Sequence, residues 1–466
     1  MTLWRPDPTF YPSARMAMEA PPERLAYVAL LNYGRNSRPD ALGVVDVDPS
    51  SPRYGQLVHT LDLPFAGDEL HHFGWSACSS ALCPQAPHPH LERRYLVVPG
   101  IRSSRLYIID TKPDPAAPKV VKVIEPEEVY RKTGYSRPHT IHCAPDAIYV
   151  SALGAAPDRG TPGPGGIFML DHFTFEVLGP WEIDRGDQAL AYDFWWHYAH
   201  DVMVTSEWGH PHQFEGGLVL DDLVGRKYGH RLHFWDIRRR RLVQTVDIGD
   251  QHQMLLELRP AHDPRKTHGF CGVVVDVTDL SASIWTWFND GGTWKAVKTI
   301  TIPAQPADEA LLPPALKPFK AVPPLVTDID LSLDDRFLYV SCWGTGELHQ
   351  YDVSDPFRPV LAGKVEIGGI AKRTPHASGR AFTGGPQMVE ISRDGRRVYF
   401  TNSLYSTWDD QFYPDGLRGA MVKCDAGADG GLALDPRFFL DTGETRSHQV
   451  RLEGGDASTD TFCYPS

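Results

Sequence analysis

Leu325–Cys342 reads LVTDIDLSLDDRFLYVSC, and a run of the same design, PQMVEISRDGRRVYFTN, returns at Pro386–Asn402. Each is a β-rich segment, a polar tight turn (Asp334-Asp335, Asp394-Gly395) and a second β-rich segment, the pattern of a β-hairpin. The second segment has seven versions along the chain: LAYVALL from Leu25, RYLVVPG from Arg94, AIYVSAL from Ala147, DVMVTSE from Asp201, FCGVVVD from Phe270, FLYVSCW from Phe337 and RVYFTNS from Arg397. After each comes a strand that often ends in Asp, such as RLYIIDT or RLHFWDI, and then a third, such as KVVKVIE or RLVQTVDI. A period of roughly 50–70 residues with irregular spacing fits propeller blades carrying loop insertions. Six of the seven have a leading segment just before them; the seventh leader must come from elsewhere, and SHQVRLEGG, Ser447–Gly455, fits that place. The sequence therefore predicts an all-β, seven-bladed β-propeller. It is expected to be a single domain over residues 1–466, in which N-terminal strands at about 25–63 share one blade with C-terminal strands at about 447–463. That pairing closes the ring and removes exposed strand edges.

Composition agrees with a globular protein: 42% hydrophobic and 23% charged residues. A formal net charge of -13 argues against nucleic acid as a partner. No run of eighteen or more apolar residues appears, so no membrane span is expected, and the N-terminal stretch lacks the apolar core of a secretory signal. The seven cysteines are scattered and form no CxxC, so no disulfide framework is expected and a cytoplasmic, reducing location is the simpler reading. Asp158–Gly166, DRGTPGPGG, reads as a flexible loop without the lysine and hydroxyl of a phosphate-binding loop. Oligomeric state leaves no trace in the sequence.

The polar residues cluster by place rather than by number. DELHHFGWSACS at Asp68–Ser79 and RPHTIHCAPD at Arg137–Asp146 begin two innermost strands that are neighbours along the chain, and His448 begins the last. A propeller gathers such starts around one axis, so His71, His72, His139, His142 and His448 are expected to converge. Imidazole nitrogens in a group suit a transition metal rather than a hard cation. Side chains alternate along a strand, so His71 with His72, or His139 with His142, can both face the axis only across a bulge or turn. Asp193, Glu257, Asp328 and Gln387 are expected on the same ring. Glu207 and Asp328 are the candidate proton acceptors at the channel mouth. Cys78 and Cys143 are expected as packed thiols before ligands.

At these residues the chain resembles the selenium-binding protein family, whose members include the methanethiol oxidases. The matching stretches include SPRYGQLVH, DELHHFGWSACSS, PHTIHC, YDFWWHYAHDVMVTSEW, RLHFWDIRRRRLVQT and HQVRLEGGDASTD. The resemblance implies a copper-dependent oxidation of methanethiol by O2 and water to formaldehyde, hydrogen sulfide and hydrogen peroxide. It also implies metal ligation by His71, His72, His139, His142 and His448. Iron or another transition metal is the alternative cofactor. A non-catalytic selenium- or metal-binding propeller is the alternative function. The cysteine implicated in selenium attachment in vertebrate members is Gly55 here, so selenium binding by that route is not expected.

Overall fold

The two hairpins fold as their turns dictate. In a computed structural model that describes residues 5–466 except 33, 35–37 and 158–161, Val326–Leu331 pairs antiparallel with Phe337–Cys342. Ser332 closes the turn: its N–H donates to the Phe337 carbonyl at 2.9 Å and its hydroxyl donates to Asp334 at 2.6 Å. Asp335 takes the left-handed conformation the turn needs, at φ 58°. Ser392, Asp394 and Gly395 repeat this arrangement between Val389–Ile391 and Arg397–Thr401. The first part of the loop expected to be flexible, 158–161, lies outside the described residues.

Seven four-stranded antiparallel sheets result, with one two-stranded ribbon beside them among the described residues. The innermost strands of blades two to seven are Gly74–Trp75, Tyr135–Cys143, Phe194–His197, His252–Pro260, Val326–Leu331 and Val389–Ile391. Innermost in blade one is Arg446–Leu452, next to Leu25–Leu31. Burial tracks distance from the axis: Val326–Leu331 is buried throughout, whereas the outermost strand of the same blade, Val360–Glu366, is largely exposed. Blades pack face to face through β-branched and aliphatic side chains. Val97, Leu106 and Ile108 of blade two, for example, meet Ile141, Val150 and Phe168 of blade three.

Closure is a register, not only a proximity. Ala26, Tyr27 and Val28 stand opposite Leu452, Arg451 and Val450, and Leu30 and Leu31 opposite Ser447 and Arg446. The predicted seven blades and the pairing of the two ends are both present. Beyond Leu452 the chain forms no strand but is tied down. The buried Asp460 carboxylate accepts from Arg93 at 2.7 Å, from Arg393 at 2.5 Å and from the Ser79 N–H at 2.8 Å. Two disulfides add to this, Cys83–Cys463 and Cys78–Cys143, with Cα–Cα distances of 5.4 and 6.0 Å. They correct the expectation of unpaired thiols. Their partners lie 380 and 65 residues apart, and only blade packing brings them together. A reducing location therefore no longer follows from the cysteines. Cys271, Cys342 and Cys424 remain as buried thiols. No helix among the described residues is long and apolar enough to cross a membrane.

Asp460→Asn is expected to leave two buried guanidinium groups without their carboxylate, at a cost of about 3–5 kcal/mol in denaturant unfolding at neutral pH. Arg93 and Arg393 outweigh burial and hold the Asp460 carboxyl well below the usual range. Its contribution is therefore present above the unfolded value of about 3.9 and fades as acid titrates the folded form. The gap between wild type and variant should close below that pH.

Candidate metal centre

Four inner strands each carry one extra residue; in blade six it is Thr327, and in the other three it falls where the imidazoles gather. In blade three the register slips between Pro138 and Ile141, leaving His139 and Thr140 opposite Ser151 alone. The Thr140 N–H then donates to the Ser151 hydroxyl at 2.9 Å. In blade one His448 and Gln449 stand opposite Ala29, and in blade five Leu256 and Glu257 stand opposite Gly272. Such bulges bend the strand and re-aim a side chain. His71 and His72 need no bulge. They lie between the isolated bridge Leu70–Gly100 and the short strand Gly74–Trp75, outside regular ladder geometry, so both rings can turn to the axis.

Four of the five expected imidazoles meet. The His71 ring lies 3.9 Å from His448, 4.7 Å from His139 and 5.1 Å from His72, centroid to centroid, and His72 lies 4.0 Å from His139. His71, His72 and His448 each offer a ring nitrogen within 4.8 Å of the other two. His448 donates from Nδ1 to the Ser403 carbonyl at 2.8 Å, which leaves Nε2 as a lone pair facing His71 Nδ1 at 3.0 Å. The Nε2 atoms of His71, His72 and His139 are buried without a hydrogen-bond partner. Burial, then the neighbouring imidazoles, pushes His71, His72 and His139 well below the ordinary histidine range, and burial takes His448 down to about 4. Neutral, unpartnered nitrogens converging in a dry site are costly as they stand, and they are the donor set a transition metal takes. The residues fit such an ion.

His142 stands apart. Its ring packs on Trp195 at 4.4 Å and Phe194 at 5.2 Å, three residues along the strand from His139. It is not brought to the other imidazoles, although its Nε2 is also buried and unpartnered. Cys78 and Cys143 are bonded to each other, which removes them as ligands.

The expected proton acceptors are committed elsewhere. Glu207 accepts from His233 Nε2 at 2.8 Å and pairs with Arg231 at 3.0 Å, within blade four. Burial alone would raise its carboxyl, but these partners lower it. Antiparallel return did not bring it to the imidazoles, because its side chain turns to the third strand of its own blade. Asp328 does face the channel, but it accepts from the Val389 N–H at 2.7 Å and pairs with Arg259 at 3.4 Å. Among the described residues, Glu257 is the carboxylate within ion-pair distance of the group, 3.7 Å from His72 Nε2. Tyr192 donates to Glu257 at 3.0 Å, and its ring lies 4.4 Å from His139.

Beneath the imidazoles sits Arg259, with Glu257 at 3.2 Å, Asp328 and Asp330 at 3.4 Å and Asp193 at 3.5 Å. Sequence reasoning passed over Arg259, Asp330 and Tyr192. The i, i+2 spacing of Glu257 with Arg259 and of Asp328 with Asp330 held the signal, since it puts each pair on one face of a strand. Above the imidazoles, Tyr192, Tyr405, Trp208, Met254, Leu256 and Leu404 belong to one buried apolar cluster that keeps water from the site.

Burial raises Asp328 to about 8 and Asp330 to about 6 in spite of Arg259. Both lie above the unfolded value of about 3.9, so these groups make stability fall as pH rises from about 4 to about 8, and Arg259 offsets that fall. Arg259→Met should therefore cost little near pH 4–5 and about 3–5 kcal/mol near pH 8, read by denaturant unfolding across that range.

Comparison with known proteins shows the family and the fold. The family model described as 56-kDa selenium binding protein matches residues 4–463. The chain is 41% identical to methanethiol oxidase of Bos taurus and 40% identical to that of Homo sapiens, covering 97% of this chain and 98% of each relative. The solved structure of a hypothetical selenium-binding protein from Sulfolobus tokodaii is 62% identical, with a TM-score of 0.96, over 98% of this chain and all of that one. A periplasmic gluconolactonase from Pseudomonas aeruginosa shares the fold alone, at 12% identity and a TM-score of 0.55, over 92% of this chain and 99% of that one.

Proposed function

The chain belongs to the 56-kDa selenium-binding protein family, and from that premise we propose that it is a metal-dependent oxidase of a small thiol. The reaction proposed is methanethiol with O2 and water giving formaldehyde, hydrogen sulfide and hydrogen peroxide. The observation that carries this reading is the group of buried, unpartnered imidazole nitrogens on the axis. It is supported by the name of relatives about 40% identical over nearly their whole length.

His71, His72 and His448 would hold the ion, with His139 beside them as a further donor; copper is the metal proposed. Bound there, copper would favour the thiolate form of a sulfur substrate and supply redox chemistry with O2. The protein's own groups prepare the site. Ser403 fixes the His448 tautomer through its carbonyl. Glu257, held by Tyr192, stands beside His72 and orients that edge of the group. The apolar layer of Tyr405, Trp208 and Leu404 excludes bulk water. It favours a small apolar thiol over a charged, glutathione-sized one, which would have to shed its hydration to enter. Glu207 and Asp328 are assigned no proton transfer: Glu207 braces blade four, and Asp328 joins Arg259 to the inner strand of blade seven. The chain acts as one domain in this reading, because the donors come from both of its ends.

The test is metal analysis of the protein from its native host together with methanethiol consumption and sulfide and peroxide release. Wild type is expected to carry close to one copper per chain and to turn over. His72→Ala with His139→Ala should lose the bound metal and bring product release to background. Retention of both copper and turnover in that double variant would sink the proposal. Stoichiometric uptake of copper or selenium by wild type with no product would favour the carrier reading instead.

A further inference from the structure

The inner segments of blades two and three carry three of the four gathered imidazoles, and they are clamped together beyond the rings. Gly74, two residues past His72, lies so close to blade three that an added Cβ would come within 2.5 Å of the Ile141 carbonyl oxygen. Four residues further on, Cys78 is bonded to Cys143, the residue after His142. Between them the His172 ring bridges the same two segments, with Nδ1 3.1 Å from the Ser76 carbonyl and Nε2 2.9 Å from the Ala144 carbonyl. Cys78 and Cys143 are both buried. The other disulfide, Cys83–Cys463, joins blade two to the C-terminal tail and holds no residue of blade three.

A metal centre is tightest when its donors are already spaced for the ion, because no ordering is then charged against binding. His72 and His139 come from different blades, and among the described residues no backbone–backbone hydrogen bond joins blade two to blade three. Apolar packing sets the distance between these blades through non-directional contacts, which constrain ligand spacing less than a covalent bond does. A covalent bond between the donor-bearing strands removes that freedom.

We propose that the Cys78–Cys143 disulfide is a positioning device of the metal centre, holding the strands of blades two and three at the spacing that lets His71, His72 and His139 bind one ion. The inference rests on the metal-binding reading above. It makes Cys78 and Cys143 positioning residues, and it makes metal retention depend on the oxidised state of this bond.

The experiment compares wild type, Cys78→Ala/Cys143→Ala and Cys83→Ala/Cys463→Ala, each purified whole and stripped of metal. Copper(II) is titrated in competition with a chelator of known affinity, and the electron paramagnetic resonance spectrum of each copper complex is recorded. The Cys78/Cys143 pair is expected to bind copper about 10- to 100-fold more weakly, the size of effect seen when groups supporting ligands are lost, and with an altered spectrum. The Cys83/Cys463 pair should keep wild-type affinity and spectrum even where its thermal midpoint falls. Affinity within twofold of wild type and an unchanged spectrum in a folded Cys78/Cys143 variant would overturn the proposal. Equal weakening in both double variants would do the same, since it would reflect general loosening. If the alanine pair does not fold, Cys78→Val/Cys143→Ala restores apolar volume. Failure of both to fold, with the Cys83/Cys463 variant folded, would assign the bond to the fold and reject the positioning role. Wild type that binds no copper would remove the metal reading itself, whereas a negative result confined to the variants leaves that reading standing.

Discussion

One surplus residue in an inner strand is the constraint on which the centre depends. Without the extra residue at His139-Thr140 and at His448-Gln449, strict alternation would send one or the other imidazole into a blade interface. A bulge gives up a ladder hydrogen bond worth about 1 kcal/mol, and in blade three the Ser151 hydroxyl takes up part of that loss by accepting from the Thr140 N–H. The same device at Leu256-Glu257 carries a carboxylate to the edge of the group. The fold thus spends local irregularity on three inner strands where the imidazoles and Glu257 gather.

The channel is sorted by charge along its length. Uncharged imidazoles lie at one level, under an apolar layer. Below them Arg259 gathers four carboxylates, and Arg451 pairs with Glu390 and bonds the Ser458 hydroxyl. Several of those carboxylates also cap backbone N–H groups of the next blade: Asp193 that of Leu258, Asp328 that of Val389, and Asp330 that of Ile391. One side chain therefore does two jobs, joining neighbouring inner strands and balancing a buried cation. That is why acidic residues recur on inner strands whether or not they touch chemistry.

Much of this is readable from residues alone. The hairpins at Leu325–Cys342 and Pro386–Asn402 identify the blade, and the missing seventh leader points to Ser447–Gly455, where the innermost strand of blade one lies. Four of the five imidazoles converge because a propeller maps strand starts to one axis. His142 does not join them, because a single added residue at His139-Thr140 does not re-aim the position three beyond His139 into the same group. Glu207 failed for a related reason. A strand end near a channel mouth says nothing about which face its side chain takes, and His233 and Arg231 claim it. The disulfides were hidden by distance in sequence, since Cys83 meets Cys463 only through ring closure.

That closure also orders events in time. From the ribosome, His448 follows His71 by 377 residues. Six blades can assemble while the chain is still growing, but the donor set stays open until the final strand docks beside Leu25–Leu31. A prematurely terminated chain would be a nearly whole propeller with no competent centre. Synthesis through the strand that carries His448 is thus a condition for gathering the four imidazoles at all.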